Sequence, residues 1–226
     1  MLKKRIKTFI LLLLCLHGAK SQNIRFDSMA VGQKSQYVLF KGSDYSIADS
    51  ATFVYVASDT LELEIVKKNR KGFLVKESIR LGQYWEIHPN PFAASAKEVY
   101  YYHLKKVGDS LRVVLSDAVY DSRIFGYGDV FPLNNDQPET VKALGWKTDH
   151  RYSESLWIAK MATCEGLNQT YHSVIVLADN RSMRRDQSGH TYFYTASNGI
   201  VRRTLYGWGD DHSWGWDLIP QPAAND

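Results

Sequence analysis

Cysteine is almost absent from this chain: its 226 residues hold two, Cys15 and Cys164. That rules out a dense disulfide scaffold and the paired CxxC ligands of structural zinc sites. The histidines never stand four apart on a helical pattern, so the two-histidine zinc motif is missing. The D-x-D-x-D-G calcium loop is missing too. Beyond the first 21 residues no apolar run is long enough to span a bilayer as a helix, which takes about 20 residues. Acidic residues are absent from that same opening stretch, whereas Lys3, Lys4, Arg5 and Lys7 lie within it.

These features read as a secretory leader. A basic start is followed by the apolar segment Phe9 to Leu16, and Ala19 and Ser21 stand at the −3 and −1 positions of a cleavage site before Gln22. Cys15 raises the alternative of a lipid anchor, but Leu14 stands where a lipobox wants a small residue. Residues 1–21 are therefore expected to be a cleaved signal peptide, and 22–226 a single β-rich domain, periplasmic or extracellular. The leader holds five of the 28 Lys and Arg, which leaves 23 bases against 24 acids in the mature chain. The basic pI belongs to the leader and gives no argument for nucleic acid. Cleavage also removes Cys15, so Cys164 has no internal partner.

What is present is a period of two. The runs 51–57, 61–67 and 72–79 alternate or run apolar in Val, Ile, Leu, Tyr and Phe. Leu61, Leu63 and Ile65 share one face, with Glu62 and Glu64 on the other, so the sheet has one wet side. Further strands are predicted over 35–40, 97–107, 111–120, 155–161, 171–178, 190–196, 199–206 and 212–219. Short strands separated by Gly, Asn and Asp turns predict an all-β fold, an antiparallel half-barrel, barrel or sandwich of about ten strands. At most one or two short helices are expected, one over 138–146. Residues 125–151 read as an irregular excursion of the kind that builds or covers a site. "KKNRKG" (67–72) reads as a hairpin tip, either a solvated charge run or an anion grip.

Several motifs suggest chemistry that their surroundings do not support. "GDSL" (108–111) has the letters of a hydrolase nucleophile block, but strand sequence follows Ser110 where a helix is needed. The Asp-x-x-His partner is also missing, so a hairpin turn is the better reading. Cys164 lacks the flanking signature of a catalytic thiol and reads as a small buried residue. Asp210 and Asp211 read as turn residues rather than metal ligands. No catalytic residue, metal or cofactor is assigned.

The aromatic residues point instead to binding. "GYGD" (126–129) and "GWGD" (207–210) each set one ring between two glycines, leaving Tyr127 and Trp208 open to a ligand or a backbone. Trp214 and Trp216 fall on one strand face, either as core or as the lining of a groove. Tyr127, Trp208, Trp214 and Trp216 are the candidate ligand-binding residues, with a lipid or glycan as the ligand.

"GHTYFYTASNGIVRRTLYGWG" (189–209) resembles a pattern near the end of small exported envelope proteins of Bacteroidota, through Tyr192, Tyr194, Ala196, Gly199, Ile200, Val201 and Arg202. "VGQKSQYVLF" (31–40) looks like their entry strand. The folds of such proteins include half-barrels of the LolA type, whose concave sheet holds lipoprotein acyl chains. The resemblance implies a bent antiparallel sheet. No residue here maps onto a known cargo contact, and the Gly-x-Trp start of a lipocalin is missing. Two alternatives stand beside the binding protein. One is a secreted hydrolase or carbohydrate-active enzyme using two of Asp129, Asp149, Asp210 and Asp211 across a cleft. The other is a structural subunit with an envelope protein partner.

Overall fold

The computed structural model describes residues 23–42, 53–80, 99–115, 124–125, 129–134, 136, 156–179, 189–206 and 214–221. Among them is one antiparallel sheet of eleven strands. In chain order these are β1 (Lys34–Gly42), β2 (Phe53–Asn69), β3 (Gly72–Arg80), β4 (Val99–Val107), β5 (Ser110–Leu115) and β6 (Val130–Pro132). They are followed by β7 (Leu156–Gly166), β8 (Gln169–Asp179), β9 (Gly189–Thr195), β10 (Gly199–Tyr206) and β11 (Trp214–Leu218). The chain starts in the middle of the sheet and meanders out to one edge at β6. It resumes at the opposite edge with β7 and meanders back until β11 lies beside β1. The sheet curls into a half-barrel, and no helix occurs among the described residues.

The expected alternation is realised. Leu61, Leu63 and Ile65 are buried, while Glu62 and Glu64 on the other face flank Lys34 at 3.1 and 3.5 Å. Two turns follow their sequence signals. Arg70 and Lys71 join β2 to β3, and Gly108 and Asp109 join β4 to β5, with Gly108 at φ 57°. "GDSL" is thus a hairpin turn, with Ser110 opening a strand.

Three expectations need correction. Residues 51–57 and 61–67 are not two strands. Instead β2 runs unbroken from Phe53 to Asn69, and the register shift against β1 at Val38/Leu39 absorbs the extra residues. The excursion over 125–151 is not irregular throughout, because it contains β6, paired to β5 through Leu111↔Phe131. Its inward ring, Phe131, is fully buried. Finally, β7 continues well past the predicted end at 161, as far as Gly166. The predicted helix over 138–146 lies outside the described residues.

Behind the centre of the sheet sits a second, smaller buried layer. Arg202 on β10 and Asp217 on β11 are cross-strand partners on the face opposite the main core. They form a two-pronged ion pair, Nε to Oδ1 at 2.6 Å and Nη2 to Oδ2 at 2.8 Å. Tyr55 donates its hydroxyl to the same carboxylate at 2.7 Å, and Arg202 also donates to the Glu165 carbonyl at 2.7 Å. The guanidinium lies 4.5 Å from the Phe53 ring centre, and Phe53 stacks on Phe40 at 4.1 Å. Burial works against the Arg202 charge, and the adjoining Asp217 carboxylate more than restores it. Gly215 makes the approach possible: a Cβ there would lie 2.0 Å from the Arg203 carbonyl oxygen and 2.9 Å from the Phe40 ring.

Arg202→Met strands a buried carboxylate and is expected to cost about 3–5 kcal/mol. Arg202→Met with Asp217→Leu removes both charges and is expected to cost clearly less, read from urea unfolding midpoints of the three proteins.

Candidate functional site

Register decides which side chains share the inside of the curl. Tyr37 and Leu39 of β1 stand opposite Leu218 and Trp216 of β11. Trp216 faces Arg203 of β10, which faces Tyr192 of β9. On the other arm Leu63 stands opposite Glu77, and Val75 opposite Tyr102. One concave face therefore joins an aliphatic wall on β2–β5 to an aromatic wall on β9–β11.

The two walls meet through Phe131 of β6. Its ring centre lies 5.0 Å from that of Tyr192 and 5.3 Å from that of Tyr194, both edge-on, and 5.7 Å from that of Phe125. Phe125 in turn lies 5.0 Å from Tyr102. From the N-terminal side Phe26 reaches Phe131 and Tyr194 at 5.8 and 6.0 Å. Edge-on contacts of this kind are the favoured arrangement for buried rings.

Within this apolar lining sits a set of polar groups. Glu77 and Asp129 are buried, as is Arg203. Glu77 Oε2 accepts the Ile124 amide at 3.1 Å, and the Tyr192 hydroxyl donates to Asp129 Oδ2 at 2.5 Å. Arg203 lies over the Tyr192 ring at 5.4 Å. The Tyr194 hydroxyl donates to the Pro132 carbonyl at 2.8 Å. Ile124 is thus held from β3, and Asp129 and Pro132 from β9. The Tyr102 hydroxyl is different: it is fully buried and has no hydrogen-bond partner. Burial, with Glu77 nearby, pushes its phenol well above the usual range.

Of the sequence candidates, Trp214 and Trp216 are both buried in the main core cluster. Tyr127 and Trp208 lie outside the described residues, as do Asp149, Asp210 and Asp211. Asp129 faces the chamber, but its Oδ2 is engaged by Tyr192. Cys164 is buried as a small core residue, and burial pushes its thiol up to about 11. Among the described residues, no three His, Cys, Asp or Glu side chains are grouped to hold a metal. Sequence reasoning passed over Glu77, Tyr102 and Arg203. The signal for Glu77 was available: in Phe73, Val75, Glu77, Ile79 a carboxylate occupies an apolar register position.

The buried phenols set an alkaline limit. Burial raises Tyr37, Tyr102 and Tyr194 above the ordinary 10.0. An acid held neutral in the folded state leaves stability intact below that value and erodes it as pH rises above it. Spectrophotometric titration is expected to show these tyrosines ionising only together with loss of near-UV circular dichroism, rather than independently near pH 10.

Comparison with protein-family models, with curated proteins and with solved structures gives no match to this chain.

Proposed function

We propose that this is an exported, non-enzymatic binding protein of the cell envelope that takes a lipid-like ligand into the concave chamber of its sheet. The observation that carries this reading is the Tyr102 hydroxyl, buried without a partner among aromatic and aliphatic side chains. An unmet buried hydroxyl costs about 1–3 kcal/mol, which a bound polar group would offset. The fitting ligand has an apolar body with one polar group. Leu63, Val75, Leu104 and Val113 favour an acyl chain over a glycan, which would need many polar partners along its length. The resemblance to LolA-type half-barrels points the same way.

Phe125 and Phe131 occupy the chamber, so ligand entry displaces them. Phe131 belongs to β6, an edge strand of three residues. Tyr127 stands in sequence between Phe125 and Asp129, both buried, and is proposed to meet the ligand. Trp208 is proposed to meet the ligand together with Trp214 and Trp216, which are buried in the core. The paired-carboxylate enzyme is less favoured, because Asp129, the one of its four candidate carboxylates among the described residues, accepts the Tyr192 hydroxyl.

Native mass spectrometry of the protein purified from its own envelope is expected to show a bound lipid mass. Tyr102→Phe is expected to leave urea stability unchanged or slightly raised, while weakening lipid affinity roughly tenfold in a tryptophan-fluorescence titration. Absence of lipid mass, with no fluorescence response to fatty acid or phospholipid in either protein, would count against the reading.

A further inference from the structure

The run Lys67–Lys71 gains a neighbour in the folded chain. Phe73 pairs with Leu104 and Leu74 with His103, so the β2–β3 turn lies beside the end of β4. The two hairpins are tightly joined there. Gly72 has φ 120°, and a Cβ on it would stand 2.3 Å from the Leu104 carbonyl oxygen. Asn69 Nδ2 lies 3.0 Å from His103 Nε2. Burial, helped by Lys71, lowers the His103 pKa.

This junction sets Lys67, Lys68, Arg70 and Lys71 next to Lys105, Lys106 and Arg112, all exposed. Asp109 is the one acidic side chain on the two tips, in a mature chain that has more acids than bases overall. Among the described residues none of the seven is paired with a carboxylate. Val107, half exposed, stands among them. Protection of a sheet edge does not explain the charge, because β2, β3 and β4 are interior strands and the edges are β6 and β7.

We propose that this end of the sheet is a docking surface for an anionic phospholipid bilayer. Five lysines and two arginines on adjoining tips match a layer of phosphate headgroups, and an exposed valine among them suits the interface. Single-stranded nucleic acid is less well matched, because the tips present no exposed ring for bases to stack on. The inference does not depend on the ligand proposed for the chamber, and either can fail without the other.

The test is co-sedimentation of the exported protein with vesicles. Binding is expected to phosphatidylglycerol-containing vesicles and not to pure phosphatidylcholine, and to be lost in about 1 M salt, where the Debye length is about 3 Å. The triple variant Lys67→Gln, Lys105→Gln, Lys106→Gln is expected to weaken it, by about fivefold for each charge removed. Lys41→Gln, an exposed site on β1, is expected to change nothing, and circular dichroism checks that each variant folds. Equal binding to both vesicle types, no effect of the triple variant, or binding to an acidic polypeptide or oligonucleotide without vesicle binding would each overturn the proposal.

Discussion

The pairing of β1 with β11 is the contact on which the single sheet depends. It runs from Tyr37↔Leu218 to Lys41↔Trp214, between strands near opposite ends of the chain. Without it the strands fall into two separate meanders, β1–β6 and β7–β11. The concave face would not exist either, because Leu39 and Trp216 are neighbours only through this pairing. Joining such distant segments costs loop-closure entropy before any contact rewards it, so this step is expected late and slow in folding. The Arg202–Asp217 layer sits directly behind the junction, with Arg202 on β10 and, across β1, Tyr55 on β2 both donating to the Asp217 carboxylate of β11.

Arg202 and Arg203 show how a strand distributes charge. Consecutive residues point to opposite faces, so one arginine enters each buried layer. The outward one meets a dedicated carboxylate. The inward one lies over a tyrosine ring in a chamber that also holds Glu77 and Asp129. Buried ion pairs are weak evidence of stability, since hydrophobic replacements often do as well. Their positions here fit register control: a one-residue slip of β10 would exchange the two faces and leave Asp217 without its partner.

Much of the fold was legible because strand periodicity is local. Leu61, Leu63 and Ile65 against Glu62 and Glu64 gave the inner and outer faces correctly, and Gly108-Asp109 gave its turn. The position of β6 was not legible, since three residues carry no period, and Phe131 is explained by rings on β9 rather than by its sequence neighbours. The continuity of β2 was hidden for a similar reason: Ala57, Ser58 and Asp59 have no register partner on β1 or β3, and the strand carries them as an irregularity between Leu39↔Val56 and Val38↔Thr60. For the site, Glu77 interrupts an apolar register and could be found by asking which strand position is of the wrong kind. Tyr102 could not, because Tyr100, Tyr101 and Tyr102 look alike until pairing shows which phenol lacks a partner. The glycine-flanked rings drew attention to chemistry visible in the letters. Burial without a partner is visible only in three dimensions.

Side-chain hydrogen bonds link the two arms of the curl: Ile124 is tied to β3 through Glu77, and Asp129 and Pro132 are tied to β9 through the hydroxyls of Tyr192 and Tyr194. On the sheet itself β6 is held by three register pairs with β5, extended by the Val113 amide donating to the Asp129 carbonyl and the Leu133 amide to the Asp109 carbonyl, both at 2.8 Å. Elements with so little ladder are where local opening begins. Ile124, Asp129 and Pro132 are thus fixed to the two arms by side-chain hydrogen bonds, and replacing the hydroxyls of Tyr192 and Tyr194 is expected to loosen β6 while leaving the order of the other strands intact.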